Sequence, residues 1–175
     1  MSAGFRPPNS ELEGLVLVAL GSNLGDSAQL IRLALARLPE LSDGPLLNSS
    51  LWQTTPVDCP VGSHPFVNAV AGLTPLATET PESVLEKLQR LEQEFGRQPK
   101  TGLNEPRLLD LDLIAFGREV RATGKLTLPH PRAHQRRFVL QPLSEITPDL
   151  ILPGQSKSVS VLLRELRSDE SVHRL

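Results

Sequence analysis

An α+β fold, an antiparallel sheet with helices packed on it, is what the 175-residue sequence predicts. Three observations carry that expectation. Short apolar runs bounded by Gly and Pro read as strands, two stripes of apolar residues recur at helical spacing between them, and the elements follow the order β-α-β-β-α-β. An antiparallel sheet with both helices on one face satisfies that order, the arrangement called ferredoxin-like, with further elements added at the C-terminal end.

Each element has its own justification. Residues 1–14 carry Pro7-Pro8 and small polar residues with no period, and read as a flexible leader. Leu15 to Leu20 is wholly apolar and ends at Gly21-Ser22-Asn23, as a buried strand leaving a sheet does. Asp26 or Ser27 can cap the helix that follows, whose Leu30, Ile31, Ala34, Leu35 and Leu38 share a face until Pro39 stops it. Leu46 to Thr55 and Phe66 to Thr74 read as two strands joined by a Pro/Gly loop. In the second helix Thr80 is the cap and Pro81 fits the first turn. Val84, Leu88, Leu91 and Phe95 then form the stripe, and Gly96 supplies a left-handed end. Leu108 to Phe116 is the next strand, followed by Leu126 to Leu128 and a helical Arg132 to Leu140. One domain over residues 15–153 is expected, with 154–175 as a tail packed on it or extending from it.

Composition narrows the function. Hydrophobic residues at 39% and charged residues at 22% are a globular balance. The longest apolar run, Leu15 to Leu20, is far short of the roughly 20 residues that cross a bilayer. With Cys59 alone no intrachain disulfide can form, which fits a reducing compartment, so a cytoplasmic protein without a membrane partner is expected. Net charge is only -2, yet Arg97 to Arg137 holds nine Lys/Arg against four acids, a +5 island in a chain otherwise at -7. A local anion site is expected there.

That island encloses Asp110-Leu111-Asp112. On a strand, residues two apart point the same way with Cα atoms about 6.6 Å apart, so both carboxylates share one face and can converge on Mg²⁺. Repulsion at that distance is about 0.6 kcal/mol in water, so the pair alone also suits a solvated strand face. Arg97, Lys100 and Arg107 before it, and Arg132, Arg136 and Arg137 after it, supply donors for a polyphosphate. His130, held between Pro129 and Pro131, can donate to a phosphate oxygen. Gly21-Ser22-Asn23-Leu24-Gly25 lacks the Lys-Ser/Thr ending of a P-loop, so the usual nucleotide cradle is excluded.

Four blocks in order, Ala19 to Asp26, Phe66 to Ala69, Pro106 to Asp112, and Leu128 to Arg132 continuing through Arg136 to Leu143, resemble the 6-hydroxymethyl-7,8-dihydropterin pyrophosphokinases of folate biosynthesis. The resemblance runs from about Leu15 to Pro153. It implies a ferredoxin-like monomer that transfers the pyrophosphoryl group of ATP to the pterin hydroxymethyl oxygen and releases AMP. It assigns Asp110 and Asp112 to two Mg²⁺ ions, with Arg97 and Arg107 as further catalytic residues. Gln89, Glu92, Arg97, Lys100, Arg107, Leu113, Thr127, His130 and Arg136 fall at nucleotide positions. Phe66 and Phe138 match a pair that stacks on the pterin, while Asn68, Thr54 and the backbone near Val57 match its polar edge. Association with other folate-pathway enzymes is a further implication.

Departures from the family pattern are Pro99 where a second Arg is common, Asn104 near the end of the same loop, and Asp58 in place of a common glycine. Lys100 is expected to serve loop closure over ATP instead. Two other classes fit part of the sequence. A palm-type nucleotidyl or other phosphoryl transferase could use the same aspartates but would release pyrophosphate. An RNA-recognition module shares the element order, but needs aromatics on its central strands, and Leu15 to Leu20 has none. No nucleic-acid partner is therefore expected.

Overall fold

The computed structural model describes residues 14–98 and 105–175. Its elements are β1 (Val16–Ser22), α1 (Ser27–Arg37), β2 (Leu47–Asn48), β3 (Trp52–Thr54), β4 (Phe66–Leu73) and α2 (Pro81–Glu94), then β5 (Asp110–Phe116), β6 (Arg121–Ala122), β7 (Thr127–Leu128), α3 (Arg137–Ile146), α4 (Val159–Glu165) and β8 (Val172–Arg174). The main sheet runs β5-β1-β4-β3-β8, with β2 also on β4, and every pairing in it is antiparallel. The α+β class and the ferredoxin-like core are thus present.

Alternation along β1 divides the interior. Val16, Val18 and Leu20 enter a core with α1 and α2 residues such as Ile31, Ala34, Val84 and Leu88. Leu17 faces the other way, joining Val70, Ile114, Val139, Leu140 and Leu143 under α3 and α4. Both expected helices lie on one face, and a second helical layer covers the opposite one. At roughly 1.5–3 kcal/mol for each large apolar side chain fully buried, the two cores dominate the stability.

Local signals set the helix ends. Asp26 accepts from the Gln29 N–H at 3.1 Å, and Thr80 with Ser83 forms a reciprocal capping box around Pro81. Gly96 has φ +85°, as a helix-ending glycine requires.

Two segments differ from expectation. Leu46 to Thr55 is not one strand but two short ones, because the Ser49 hydroxyl takes the Val70 N–H at 2.9 Å and the Ser50 N–H turns to Glu145 on α3 at 2.7 Å. The expected helix Arg132 to Leu140 instead begins as a single 3-10 turn, Ala133–Gln135, and becomes α-helical from Arg137 to Ile146. Past Gln155, where no local pattern marks an element, α4 joins the second layer and β8 extends the sheet beyond β3. Asp58 adopts φ 52°, the left-handed geometry that the glycine common at that position would supply.

Candidate active site

Register at the end of the sheet builds the site. Gly21 on β1 lies opposite Asn68 on β4 and opposite Asp110 on β5, while Ala19 lies opposite Asp112. Directly opposed residues point to one face, so the carboxylates and the amide flank a glycine on the side covered by α3. A Cβ at Gly21 would meet Asn68 Oδ1 at 3.1 Å. Gly21→Ala is therefore expected to displace Asn68 and lower kcat/KM for the substrate it holds about tenfold, with little change in a urea midpoint. Steady-state kinetics beside a denaturation curve checks this.

The cleft above Gly21 has a volume of about 460 Å³, within the usual range for a small-molecule site. Thr54 on β3 and Phe66 and Asn68 on β4 stand to one side of Gly21 and Asp110 and Asp112 on β5 to the other, while Val57, Gln89, Glu92, Arg97, Arg107, His130, Arg136 and Phe138 complete the lining. Asn68 Nδ2 donates to Thr54 Oγ1 at 2.7 Å, and both residues are buried, so the amide side chain is held against β3. Arg136 lies with Cζ 5.2 Å from the Phe138 ring centroid, joining the aromatic and cationic halves.

Asp110 is gripped from two sides. Arg97 Nη1 is 3.2 Å from Oδ1 and Arg107 Nη1 is 2.8 Å from Oδ2. Arg97 also pairs with Glu92, whose Oε1 accepts the outward Leu111 N–H at 2.7 Å. Burial lifts the Glu92 carboxyl to about 7. Burial, helped by the Asp110 charge, lifts Asp112 to about 6. Arg107 is itself positioned by Asn23, whose Oδ1 accepts the Arg107 N–H at 2.9 Å while the Asn23 N–H donates to the Arg107 carbonyl at 3.2 Å. The Gly21-Ser22-Asn23 turn, no phosphate cradle, is thus a clip for a phosphate-binding candidate. An Asn directly after the Gly21-Ser22 strand end was the available signal for Asn23.

A bulge in β5 opposite Leu17 and Val18 contains Ile114, whose carbonyl accepts the His130 N–H at 2.8 Å. His130 Nδ1 accepts the Arg132 N–H at 3.2 Å, so a neutral ring carries its proton on Nε2. Burial, then Arg136 and Arg132, depress this imidazole from 6.5 to about 4. Its contribution to stability is complete above the unfolded value of about 6.5 and is lost as pH falls toward about 4. Glu92, with its raised value, acts with the opposite sign and favours the folded chain as pH falls from about 7. His130→Gln is expected to lose less stability on acidification than the parent, as urea midpoints at a series of pH values would show.

Other expected residues fall elsewhere. The Leu113 side chain is buried in the core with α1 and α2, and Thr127 is exposed on β7; neither lines the cleft. Alternation from Leu111 turns the Leu113 backbone N–H and C=O away from β1, toward the outer edge of β5. Lys100, with Pro99 and Asn104, lies outside the described residues. The sequence reading missed the lining residues Thr55, Cys59 and Leu85.

For a divalent cation the donor set is Asp110 and Asp112. Among the described residues no group of three or more His, Cys, Asp or Glu side chains could hold a metal ion. Two hard oxygen donors facing a cationic cleft fit Mg²⁺, which takes its remaining ligands from water and substrate phosphates.

The family model described as 7,8-dihydro-6-hydroxymethylpterin-pyrophosphokinase (HPPK) matches residues 17–148. The 2-amino-4-hydroxy-6-hydroxymethyldihydropteridine pyrophosphokinase of Haemophilus influenzae is 36% identical over 157 residues, covering 89% of this chain and 94% of that protein. Its counterpart in Bacillus subtilis is 34% identical over 168 residues, covering 93% and 98%. The Folate synthesis bifunctional protein of Arabidopsis thaliana is 35% identical over 133 residues, 75% of this chain but 26% of that protein. Among solved structures, Plasmodium falciparum HPPK-DHPS with pteroate has a TM-score of 0.67 at 14% identity, over 86% of this chain. The present chain spans 42% of that longer one, and the likeness is one of fold.

Proposed function

The chain belongs to the 7,8-dihydro-6-hydroxymethylpterin-pyrophosphokinase family, and from that premise we propose how its cleft performs the family's reaction. The enzyme transfers the pyrophosphoryl group of ATP to the hydroxymethyl oxygen of 6-hydroxymethyl-7,8-dihydropterin in folate biosynthesis, with Mg²⁺. The register around Gly21 supports the assignment of roles, since it sets Asn68 and the carboxylates on one face across Gly21, in a cleft lined by guanidiniums and aromatic rings.

Asp110 and Asp112 would hold two Mg²⁺ ions, which supply charge neutralisation on the phosphates and acidify the pterin hydroxyl. Arg97 and Arg107, which hold Asp110, would release that carboxylate to a cation and turn to the oxygens of the incoming polyphosphate. The arginines thus exchange a carboxylate for phosphate oxygens as substrate binds. His130 Nε2 donates to a phosphate oxygen, and Arg136 meets the group in transfer. Gln89 and Glu92 serve the nucleoside within the cleft, Leu113 through its edge backbone and the exposed Thr127 serve it from beyond the cleft's lining, and Lys100 is a further ATP residue. Phe66 and Phe138 stack on the pterin ring, while Asn68, Thr54 and the backbone near Val57 bond its edge.

In this reaction the hydroxymethyl oxygen forms a bond to the β-phosphorus of ATP. The bond between that phosphorus and the α,β-bridging oxygen breaks, AMP leaves with the electron pair, and the hydroxyl proton passes to solvent. Catalysis is chiefly positioning and electrostatic stabilisation. The named cleft residues come from one chain, so a monomer suffices. Among the described residues no helix is long and apolar enough to cross a membrane. Action in the cytoplasm, on small soluble substrates, is part of the same reading, as is association with other folate-pathway enzymes.

Incubating the protein with ATP, Mg²⁺ and freshly reduced 6-hydroxymethyl-7,8-dihydropterin is expected to yield AMP and the pterin diphosphate in equal amounts. Pyrophosphate as the product would instead identify a nucleotidyl transfer, and no AMP would overturn the reading.

A further inference from the structure

The face of the sheet that floors the cleft carries one row of residues across five strands. Asp110 on β5 lies opposite Gly21 on β1, Gly21 opposite Asn68 on β4, Asn68 opposite Trp52 on β3, and Trp52 opposite Arg174 on β8. Directly opposed residues share a face, so the row leads from a cleft carboxylate, through the amide, to an indole and a guanidinium that do not line the cleft. An acid from α3 holds this outer end. Glu145 Oε2 accepts the Ser50 N–H at 2.7 Å and the Trp52 Nε1–H at 3.3 Å, and Glu145 Oε1 lies 3.9 Å from Arg174 Nη1.

The same helix carries Phe138 near its other end. Phe138 and Glu145 stand about two turns apart, and so project from one side of α3 with a rise of about 10.5 Å between them. On β3, Trp52 and Thr54 share a face about 6.6 Å apart. Pro142 has no N–H for the Phe138 carbonyl, yet to either side of it the Leu140 N–H donates to the Arg136 carbonyl and the Thr147 N–H to the Leu143 carbonyl, each at 2.9 Å. Val139, Leu140 and Leu143 seat the helix on Leu17 and Val70 of the sheet. Apolar packing of that kind is non-directional, so it fixes the helix along the sheet less sharply than the Glu145 bonds do. Helix and strand thus form two arms joined at Glu145 and Trp52. Phe138 is at the free end of one, and Thr54, bonded to Asn68, at the free end of the other.

We propose that Glu145 is a positioning residue for the pterin part of the cleft: by holding the Trp52 indole and the Ser50 backbone it sets the gap between the Phe138 ring and the Thr54–Asn68 pair. Glu145 is not among the lining residues, so its effect passes through the two arms. The substrate in that gap is the one assigned above, and the role rests on that reading. Both bonds lie near solvent, so water takes the freed donors when the carboxylate is removed, and the chain still folds.

Full-length Glu145→Ala, Glu145→Gln and Trp52→Phe variants, with the Glu145→Ala/Trp52→Phe double variant, test this in steady-state kinetics with each substrate varied separately. Glu145→Ala is expected to raise the pterin KM about fivefold and leave the ATP KM within about twofold. Glu145→Gln, which keeps an acceptor oxygen for the Ser50 and Trp52 donors, should recover most of that loss. Trp52→Phe, which removes the indole N–H but keeps a ring, should move the same KM about twofold. The double variant should be no worse than Glu145→Ala alone, because both lesions break one contact. A fall in Tm with both KM values unchanged, an equal rise in both, no recovery in Glu145→Gln, or additive losses in the double variant overturns the proposal. Phe138→Ala separates the two ideas. If it raises the pterin KM and the Glu145 variants do not, the positioning role fails while the pterin assignment stands. If it leaves the pterin KM unchanged, the pterin assignment fails and takes the role of Glu145 with it.

Discussion

Replacing Asp112 by Asn is expected to lower kcat about a thousandfold or more while raising the thermal midpoint of the ligand-free enzyme. The loss follows from removing a charge that faces metal and phosphates in the transition state, where fixed electrostatic contacts have their largest effect. The gain follows from the surroundings of the side chain. Burial and the neighbouring Asp110 disfavour its carboxylate more than Arg136, Arg107 and Arg97 favour it, so a neutral amide of the same shape relieves a net cost in the ligand-free enzyme. AMP release and differential scanning calorimetry, each with and without MgATP, measure the two effects. A lower midpoint would make Asp112 a structural residue, and unchanged turnover would remove the metal assignment.

Arg136→Met is expected to reduce kcat about a hundredfold and to raise the pterin KM by less, about tenfold at most. Its guanidinium has two tasks in different halves of the cleft. Facing Asp110 and Asp112, it stands where charge shifts during transfer, and loss of one such donor costs about 10²–10³ in kcat. Over Phe138 at 5.2 Å it also steadies the stacking ring, a contact worth about 0.5–2 kcal/mol. Arg136→Lys should restore charge without the planar fork, recovering only part of kcat. Equal losses in kcat and in pterin binding would mean that Arg136 acts through Phe138 alone.

Local chemistry explains which parts of the fold were legible. Strand β1 was visible in an unbroken apolar run, and α1 and α2 in their stripes together with Asp26, Thr80 and Pro81 at their starts. The shared face of Asp110 and Asp112 needed only the two-residue period of a strand. What the sequence concealed depends on partners far along the chain. Strands β2 and β3 are divided by a bond from Ser50 to Glu145, 95 residues away, and no pattern near Ser50 announces it. Strand β8 exists by pairing with β3, not by its own composition. Likewise the sequence named Asn68 and Asp110 separately, but placing Gly21 between them required the register of three strands.

Strand β1 has one more consequence, for the way the molecule opens. Its two sides are paired with β4 and β5, and its two faces enter different cores, so neither core can separate from the sheet without exposing it. Its amide protons should exchange only through global unfolding, whereas those of β8, paired on one side with β3, should exchange through local opening at far lower free energy. The floor of the cleft at Ala19 and Gly21 is then the last part of the enzyme to loosen, and its walls are free to breathe around an anchored base.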